Sequence, residues 1–178
     1  MTPVELSGRL VGLRELHDAD APALQAVYGD PDVCRLMSFT PRTVEQCAAI
    51  IAAARRDAEA DPRHVYMLAV CDGDGKLIGA ARLGLGEWKS AQFGIALRPD
   101  QWGHGRGTET VRLLFRLGFR DLELHRIWGA RSPRNDVSGR LMAAAGMTED
   151  GTIRSHVLRH GVWEDSATAS ILESEFRG

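Results

Sequence analysis

The stretch Trp102-Gly103-His104-Gly105-Arg106-Gly107-Thr108 constrains this chain more than any other. It joins an alternating run, Ala91-Gln92-Phe93-Gly94-Ile95-Ala96-Leu97, to an amphipathic segment whose apolar stripe is Val111, Leu114, Phe115 and Phe119. Glycine at every second position lets the backbone turn sharply and aim its N–H groups inward. The helix that starts there adds unpaired N–H groups and the positive end of its dipole. A strand-to-helix junction of this kind attracts phosphate.

Two familiar nucleotide loops fail against it. A P-loop needs Gly, four residues, then Gly-Lys-Ser/Thr, and the Lys is missing, which argues against ATP hydrolysis. The dinucleotide fingerprint needs Gly-x-Gly-x-x-Gly after the first strand of a parallel unit, whereas Gly103, Gly105 and Gly107 are spaced Gly-x-Gly-x-Gly and follow an antiparallel region. Global charge does not attract the phosphate either. With 22 Lys+Arg against 24 Asp+Glu the net charge is -2, so there is no basic field to hold nucleic acid or an anionic membrane.

The 178 residues suit one domain over 1–178. The start lacks a basic segment followed by an apolar run, and no apolar stretch is long enough to span a bilayer, so a cytoplasmic location is expected. Cys34, Cys47 and Cys71 are odd in number and widely spaced, which predicts buried, reduced thiols.

Along the chain, Leu10 to Arg14 reads as a first strand and Asp18 and Asp20 open a helix bearing Ala23, Leu24, Val27 and Tyr28. Thr43-Val44-Glu45-Gln46 matches a capping box, with Cys47, Ile50, Ile51 and Ala54 following at helical spacing and Arg55, Arg56 and Asp57 on the wet face. Val65 to Val70 and Lys76 to Leu85 flank Asp72-Gly73-Asp74-Gly75, a hairpin signal. Calcium fails there, because Leu83 stands where an EF-hand has its chelating Glu. After the glycine helix, whose Arg112, Arg116 and Arg120 read as a solvated stripe, come a strand at Arg126 to Ala130 and a short helix with Asn135 as N-cap and Gly146 at its end. Strands near Ile153 to Leu158 and Trp163 to Leu172 follow. This order indicates a mixed α+β sheet, not strict βαβ alternation.

The glycine segment resembles the acyl-CoA pyrophosphate loop of the GNAT acetyltransferase superfamily, Gln/Arg-x-x-Gly-x-Gly/Ala, with Trp102 in the Gln/Arg place. That departure, followed by Thr108-Glu109, is similar to the RimJ/RimL branch, which modifies protein N-termini and related amines. Arg9-Leu10-Val11, Leu13-Arg14 and Asp30-Pro31-Asp32-Val33 resemble that branch's opening. Asn135-Asp136-Val137-Ser138, Gly146-Met147 and Asp150-Gly151 resemble its later half.

The resemblance implies the GNAT fold, a mostly antiparallel mixed sheet with a splayed strand pair flanked by about four helices. It implies that the main chain of Ile95, Ala96 and Leu97 pairs with the pantetheine arm as a missing strand would. Trp102, Gly103, His104, Gly105, Arg106, Gly107 and Thr108 would hold the pyrophosphate, His104 and Arg106 either touching phosphate or facing water. Asn135 would bond the arm near the thioester, which is compatible with its reading as a cap.

Direct attack of an amine on a thioester needs a neutral amine, an oxyanion donor and a proton for the departing thiolate. The N–H near Ile95 or Ala96 is the natural oxyanion donor. Ser138 matches the hydroxyl position that relatives use to protonate the thiolate, against its plain reading as a capping or solvent-facing Ser. Some relatives carry a Glu base where Gln92 stands here, and Gln92 cannot accept a proton at neutral pH. A water chain, Glu87, His156, Glu164 or Asp165 remain as substitutes, His156 having the best-matched pKa; Asp165 also reads as holding a loop. Trp88, Trp128 and Trp163 read as core or pocket-wall aromatics, with Trp88 able to line an acceptor pocket. No metal site is expected, since the one i,i+4 histidine pair, His156 and His160, falls in a predicted strand.

The expected function is therefore acetyl-CoA-dependent N-acetyl transfer, through a ternary complex, to a primary amine of a protein N-terminus or a small molecule. A homodimer is the candidate assembly, with the oligomeric state open. A catalytically silent acyl-CoA sensor or scaffold is the alternative, favoured by Gln92.

Overall fold

A computed structural model describes residues 3–35, 37, 39–159 and 161–178. Eight strands form one sheet: β1 (Glu5–Ser7), β2 (Gly12–Glu15), β3 (Val65–Cys71), β4 (Leu77–Leu85), β5 (Ser90–Leu97), β6 (Arg126–Arg131), β7 (Thr148–Arg159) and β8 (Val162–Leu172). Their spatial order is β1-β2-β3-β4-β5-β6-β8-β7. Every pairing is antiparallel except β5 with β6, which run parallel. Five helices flank the sheet: α1 (Ala21–Tyr28), α2 (Pro31–Cys34), α3 (Val44–Glu59), α4 (Arg106–Arg116) and α5 (Asp136–Ala145).

The local chemistry follows the sequence at most ends. Thr43 and Gln46 form the reciprocal cap that starts α3, and Asp72 accepts N–H bonds from Asp74 and Lys76 to close the β3–β4 hairpin. Gly146, at φ 100°, stops α5. The first strand differs from expectation. Pairing runs over Gly12–Glu15 and a further strand, β1, precedes it, because β1 lies opposite Gly12 to Arg14 and places a turn at Gly8 to Val11. Asp30 does not merely end α1; its carboxylate caps the one-turn helix α2.

Each face of the sheet has its own core. On one, Phe93 and Leu97 of β5 pack with Val111, Leu114 and Phe115 of α4, where Phe115 meets the Phe93 ring edge-on at 6.2 Å. On the other, Leu24 and Val27 of α1 and Cys47 and Ile51 of α3 cover Ala69, Ala80 and Ala96. The second face of β5 is thus covered at Ala96 and open further back, at Gly94. All three cysteines are buried and unbonded, and burial pushes their thiols up.

Several surface expectations change. The indole of Trp88 is 90 % exposed and that of Trp163 61 % exposed, so neither is a core or pocket wall. The arginine stripe of α4 is tethered as well as solvated: Arg112 donates to the Ala144 carbonyl and Arg120 lies over the Phe176 ring. No helix among the described residues is long and apolar enough to cross a membrane.

Candidate active site

The sheet forks between β5 and β6. Their pairing stops at Gln92 opposite Trp128, and Phe93 to Leu97 continue with no strand on that side, leaving roughly 17 Å of strand edge at about 3.3 Å per residue. Which main-chain groups face the gap follows from alternation. The Lys89 carbonyl accepts from His125 and Arg126 on the β6 side, whereas the Arg98 N–H donates to Ile78 of β4. Odd residues of β5 therefore turn their N–H and C=O toward the gap and even residues toward β4. The Ile95 N–H and C=O face the gap. Those of Ala96 are engaged by β4, which corrects the expectation that Ile95, Ala96 and Leu97 offer their backbone alike.

At the open end of the gap lies the glycine loop. Gly103 and Gly105 have φ of 77° and 76°, a left-handed backbone that side chains rarely adopt, and Gly105 directly precedes α4. Because the Glu109 N–H returns to the Gly105 carbonyl, the N–H groups of Arg106, Gly107 and Thr108 in the first turn have no partner among the described residues. Gly107 serves packing: a Cβ there would lie 2.6 Å from Leu141 Cδ1, so its glycine lets α4 approach α5. His104 is exposed and Arg106 half-buried, and neither forms an ion pair among the described residues.

Two supports of this loop were not foreseen. The Trp102 indole Nε1 donates to the Leu97 carbonyl at 2.8 Å, tying the loop to the end of the splayed strand and occupying an acceptor on the gap side. The Glu109 carboxylate accepts from the N–H groups of Arg9, Leu10 and Val11 at 2.9, 2.6 and 2.9 Å, docking the β1–β2 turn against the start of α4. An acid in the first turn of a helix reads from sequence as a dipole partner, and nothing local reveals that its ligands lie about 100 residues earlier.

On the β6 side, Asn135 Oδ1 accepts the Ser138 N–H at 3.0 Å, so Asn135 is the N-cap of α5. The Ser138 hydroxyl is half-buried and has no partner among the described residues. His156 sits on β7 with Nδ1 3.0 Å from the buried Ser166 hydroxyl, next to the β8 residue that pairs with Arg131 at the open end of β6. His160, the other member of the i,i+4 pair, lies outside the described residues. No group of three or more His, Cys, Asp or Glu converges as a metal site among the described residues.

The remaining base candidates separate from the fork. Glu87 is exposed at the turn before β5, eight residues before Ile95, near the closed end. Glu164 is held by Arg134 and Arg159, and Asp165 accepts the Ser155 N–H, each acting as a structural anchor in the β7–β8 hairpin. Gln92 lines a cavity of about 380 Å³ with Trp128, Arg82 and His64 on the α1–α3 face of the sheet. Asp57, expected on the wet face of α3, instead lines an adjoining cavity of about 300 Å³.

A sheet forked between two parallel strands, with a helix start of N–H groups unpaired among the described residues at the mouth, defines a protein with a bare strand edge that leads to an anion-suited helix terminus. The sequence profile described as the acetyltransferase (GNAT) domain matches residues 10–148. The uncharacterised N-acetyltransferase p20 of Bacillus licheniformis is 27% identical over 93% of this chain and 94% of its own length. Among solved structures, a GNAT-family acetyltransferase from Bacillus anthracis superposes with a TM-score of 0.84 at 21% identity, covering 97% of this chain and 100% of that one. RimJ of Mycobacterium smegmatis, solved in complex with CoA-disulfide, does so with a TM-score of 0.85 at 23% identity, covering 99% of this chain and 88% of that one. The chain belongs to the GNAT acetyltransferase family and is an acetyl-CoA-dependent acyltransferase.

Proposed function

We propose that this enzyme, of RimJ/RimL-like kind, transfers acetyl from acetyl-CoA directly to a primary amine with both substrates bound together. The observation that carries the reading is the fork: a bare strand edge ending at three helix N–H groups unpaired among the described residues suits an extended arm that ends in pyrophosphate. The Trp-Gly-x-Gly loop and the RimJ structure with CoA-disulfide support the branch.

In this reading the N–H groups of Arg106, Gly107 and Thr108 hold the pyrophosphate, and the Ile95 N–H and C=O with the Phe93 C=O pair with the arm. The Asn135 amide nitrogen, left free by capping through Oδ1, serves the arm near the thioester. The amine attacks the thioester carbonyl: a C–N bond forms, the C–S bond breaks, the amine loses a proton and the thiolate gains one. Ile95 N–H is the oxyanion donor, aimed before reaction and needing no rearrangement. Ser138 Oγ delivers the proton to the thiolate. With Gln92 in place of a carboxylate, the amine's proton leaves through water, and the His156 imidazole, beside Ser166, is the candidate to receive it.

Thiol release measured while both substrates are varied tests the order of events. Intersecting double-reciprocal lines are expected for a ternary complex, and parallel lines would indicate an acetyl-enzyme and overturn the direct transfer. Tight CoA binding without turnover on any amine would favour the silent sensor.

A further inference from the structure

We propose that Arg82 makes this enzyme select small amines that carry a carboxylate near the reacting nitrogen, amino acids and their like, over neutral or polycationic amines. The proposal rests on the acetyltransferase reading above and assigns the acceptor's chemical class.

Arg82 stands in the middle of β4, directly opposite Gly94 of the splayed strand and Met67 of β3, on the face covered further along by α1 and α3. With Val65 it lines both of the adjoining cavities, of about 380 and about 300 Å³, and it is the charged group at their junction. A Cβ at Gly94 would meet nothing within 4 Å, so the space beside the fork is open there. A Cβ at Gly84 would lie 2.7 Å from the Arg82 guanidinium nitrogens, so that glycine lets the guanidinium lie along the cavity floor. The side chain is exposed in the centre of a sheet, and among the described residues it makes no ion pair or hydrogen bond.

Neighbouring arginines are treated differently. Arg14 is matched in bidentate fashion by Asp20, and the buried Arg63 by Glu15. The second cavity holds another unmatched guanidinium, Arg42, stacked over Phe39 at 5.6 Å, and one carboxylate, Asp57, that pairs with neither arginine. Glu87, the acid of the first cavity, lies at its exposed far end. The two cavities together hold two guanidiniums and two carboxylates, and neither carboxylate pairs with Arg82.

A planar guanidinium facing a small cavity matches a carboxylate in two parallel hydrogen bonds. The same charge repels a second ammonium, which disfavours polyamines. It also lowers the pKa of the acceptor's reacting ammonium, so a neutral amine is reached by loss of a proton to water where Gln92 can take none. The amine's second proton leaves as the C–N bond forms, and the thiolate is protonated as the C–S bond breaks.

The test is thiol release from acetyl-CoA with alanine against alaninamide, β-alanine against its amide, and spermidine, for the wild type, Arg82→Gln and Arg82→Lys, with CoA-induced thermal stabilisation measured in parallel. The wild type should prefer each carboxylate over its amide by about tenfold or more in kcat/KM. Arg82→Gln should erase the preference by raising the carboxylate's KM while the acetyl-CoA KM stays within about twofold, and Arg82→Lys should restore part of it. Amides or spermidine used as well as the carboxylates, a preference that survives Arg82→Gln, or no turnover of any amine by a protein that CoA stabilises would each overturn the assignment of Arg82 alone. Failure of CoA to stabilise the wild type would overturn the acetyltransferase reading itself.

Discussion

The two sides of the fork are built from different materials. On the donor side, the glycine loop and the odd residues of β5 present backbone, fixed by Trp102, Glu109 and the start of α4. On the side we propose for the acceptor, the cavities next to the fork are walled by side chains: Arg82, Gln92, Trp128 and, further out, Arg42 and Asp57. Backbone recognition tolerates sequence change and suits a ligand common to a family. Side-chain recognition changes with single substitutions and suits the variable partner.

Substitutions can break that contrast. The largest effect is expected at the reacting centre, where Ser138→Ala should lower kcat about a hundredfold, with CoA affinity unchanged because only the hydroxyl is removed. A kcat within about twofold of wild type, read by thiol release, would take Ser138 out of the chemistry. Next comes the scaffold of the acceptor wall. Asp20 is buried before α1; burial alone would raise its carboxyl, but the Arg14 guanidinium and the His17 N–H outweigh this and hold it below the usual carboxylate range. A depressed folded pKa adds stability above the unfolded value of about 3.9 and loses it as pH falls through the folded value. Asp20→Asn should therefore cost about 2 kcal/mol at pH 7, and its difference from wild type in urea unfolding should shrink below about pH 4.

On the donor side, Gly105→Val would force a β-branched residue to a φ of 76° and put its side chain in the pyrophosphate path. CoA should bind about tenfold more weakly or worse, and unchanged affinity in a folded variant would show that the loop holds something else. Glu109→Gln is the mildest of the four: it keeps one acceptor oxygen, removes the charge and gives up at least one of the three hydrogen bonds, because its amide nitrogen cannot accept. A loss of about 1 kcal/mol in thermal unfolding is expected, with a few-fold loss of CoA affinity as the β1–β2 turn loosens.

The glycine loop was legible in the sequence because its signals are local: glycine spacing, a strand before and an amphipathic helix after. Asn135 as a cap and the Asp72 to Gly75 hairpin were legible for the same reason. What the sequence hid depends on pairing at a distance. Ala96 looks like its neighbours until strand register shows its backbone engaged by β4. Glu109 looks like a dipole partner until the β1–β2 turn folds onto it. Trp88 and Trp163 have core composition but sit on a turn and at a hairpin end, where no second layer covers them. Arg82 reads as one more charge in a strand until Gly94 and Gly84 open the space around it.

Residue-resolved amide hydrogen exchange, with and without CoA, tests the fork most directly. CoA should slow exchange at Ile95 in the gap and at Arg106, Gly107 and Thr108 in the loop, while leaving Phe93, already bonded to Trp128 of β6, and Ala96, already bonded to β4, unchanged. Protection of Ala96 in place of Ile95, or no protection along β5 at saturating CoA, would contradict the account.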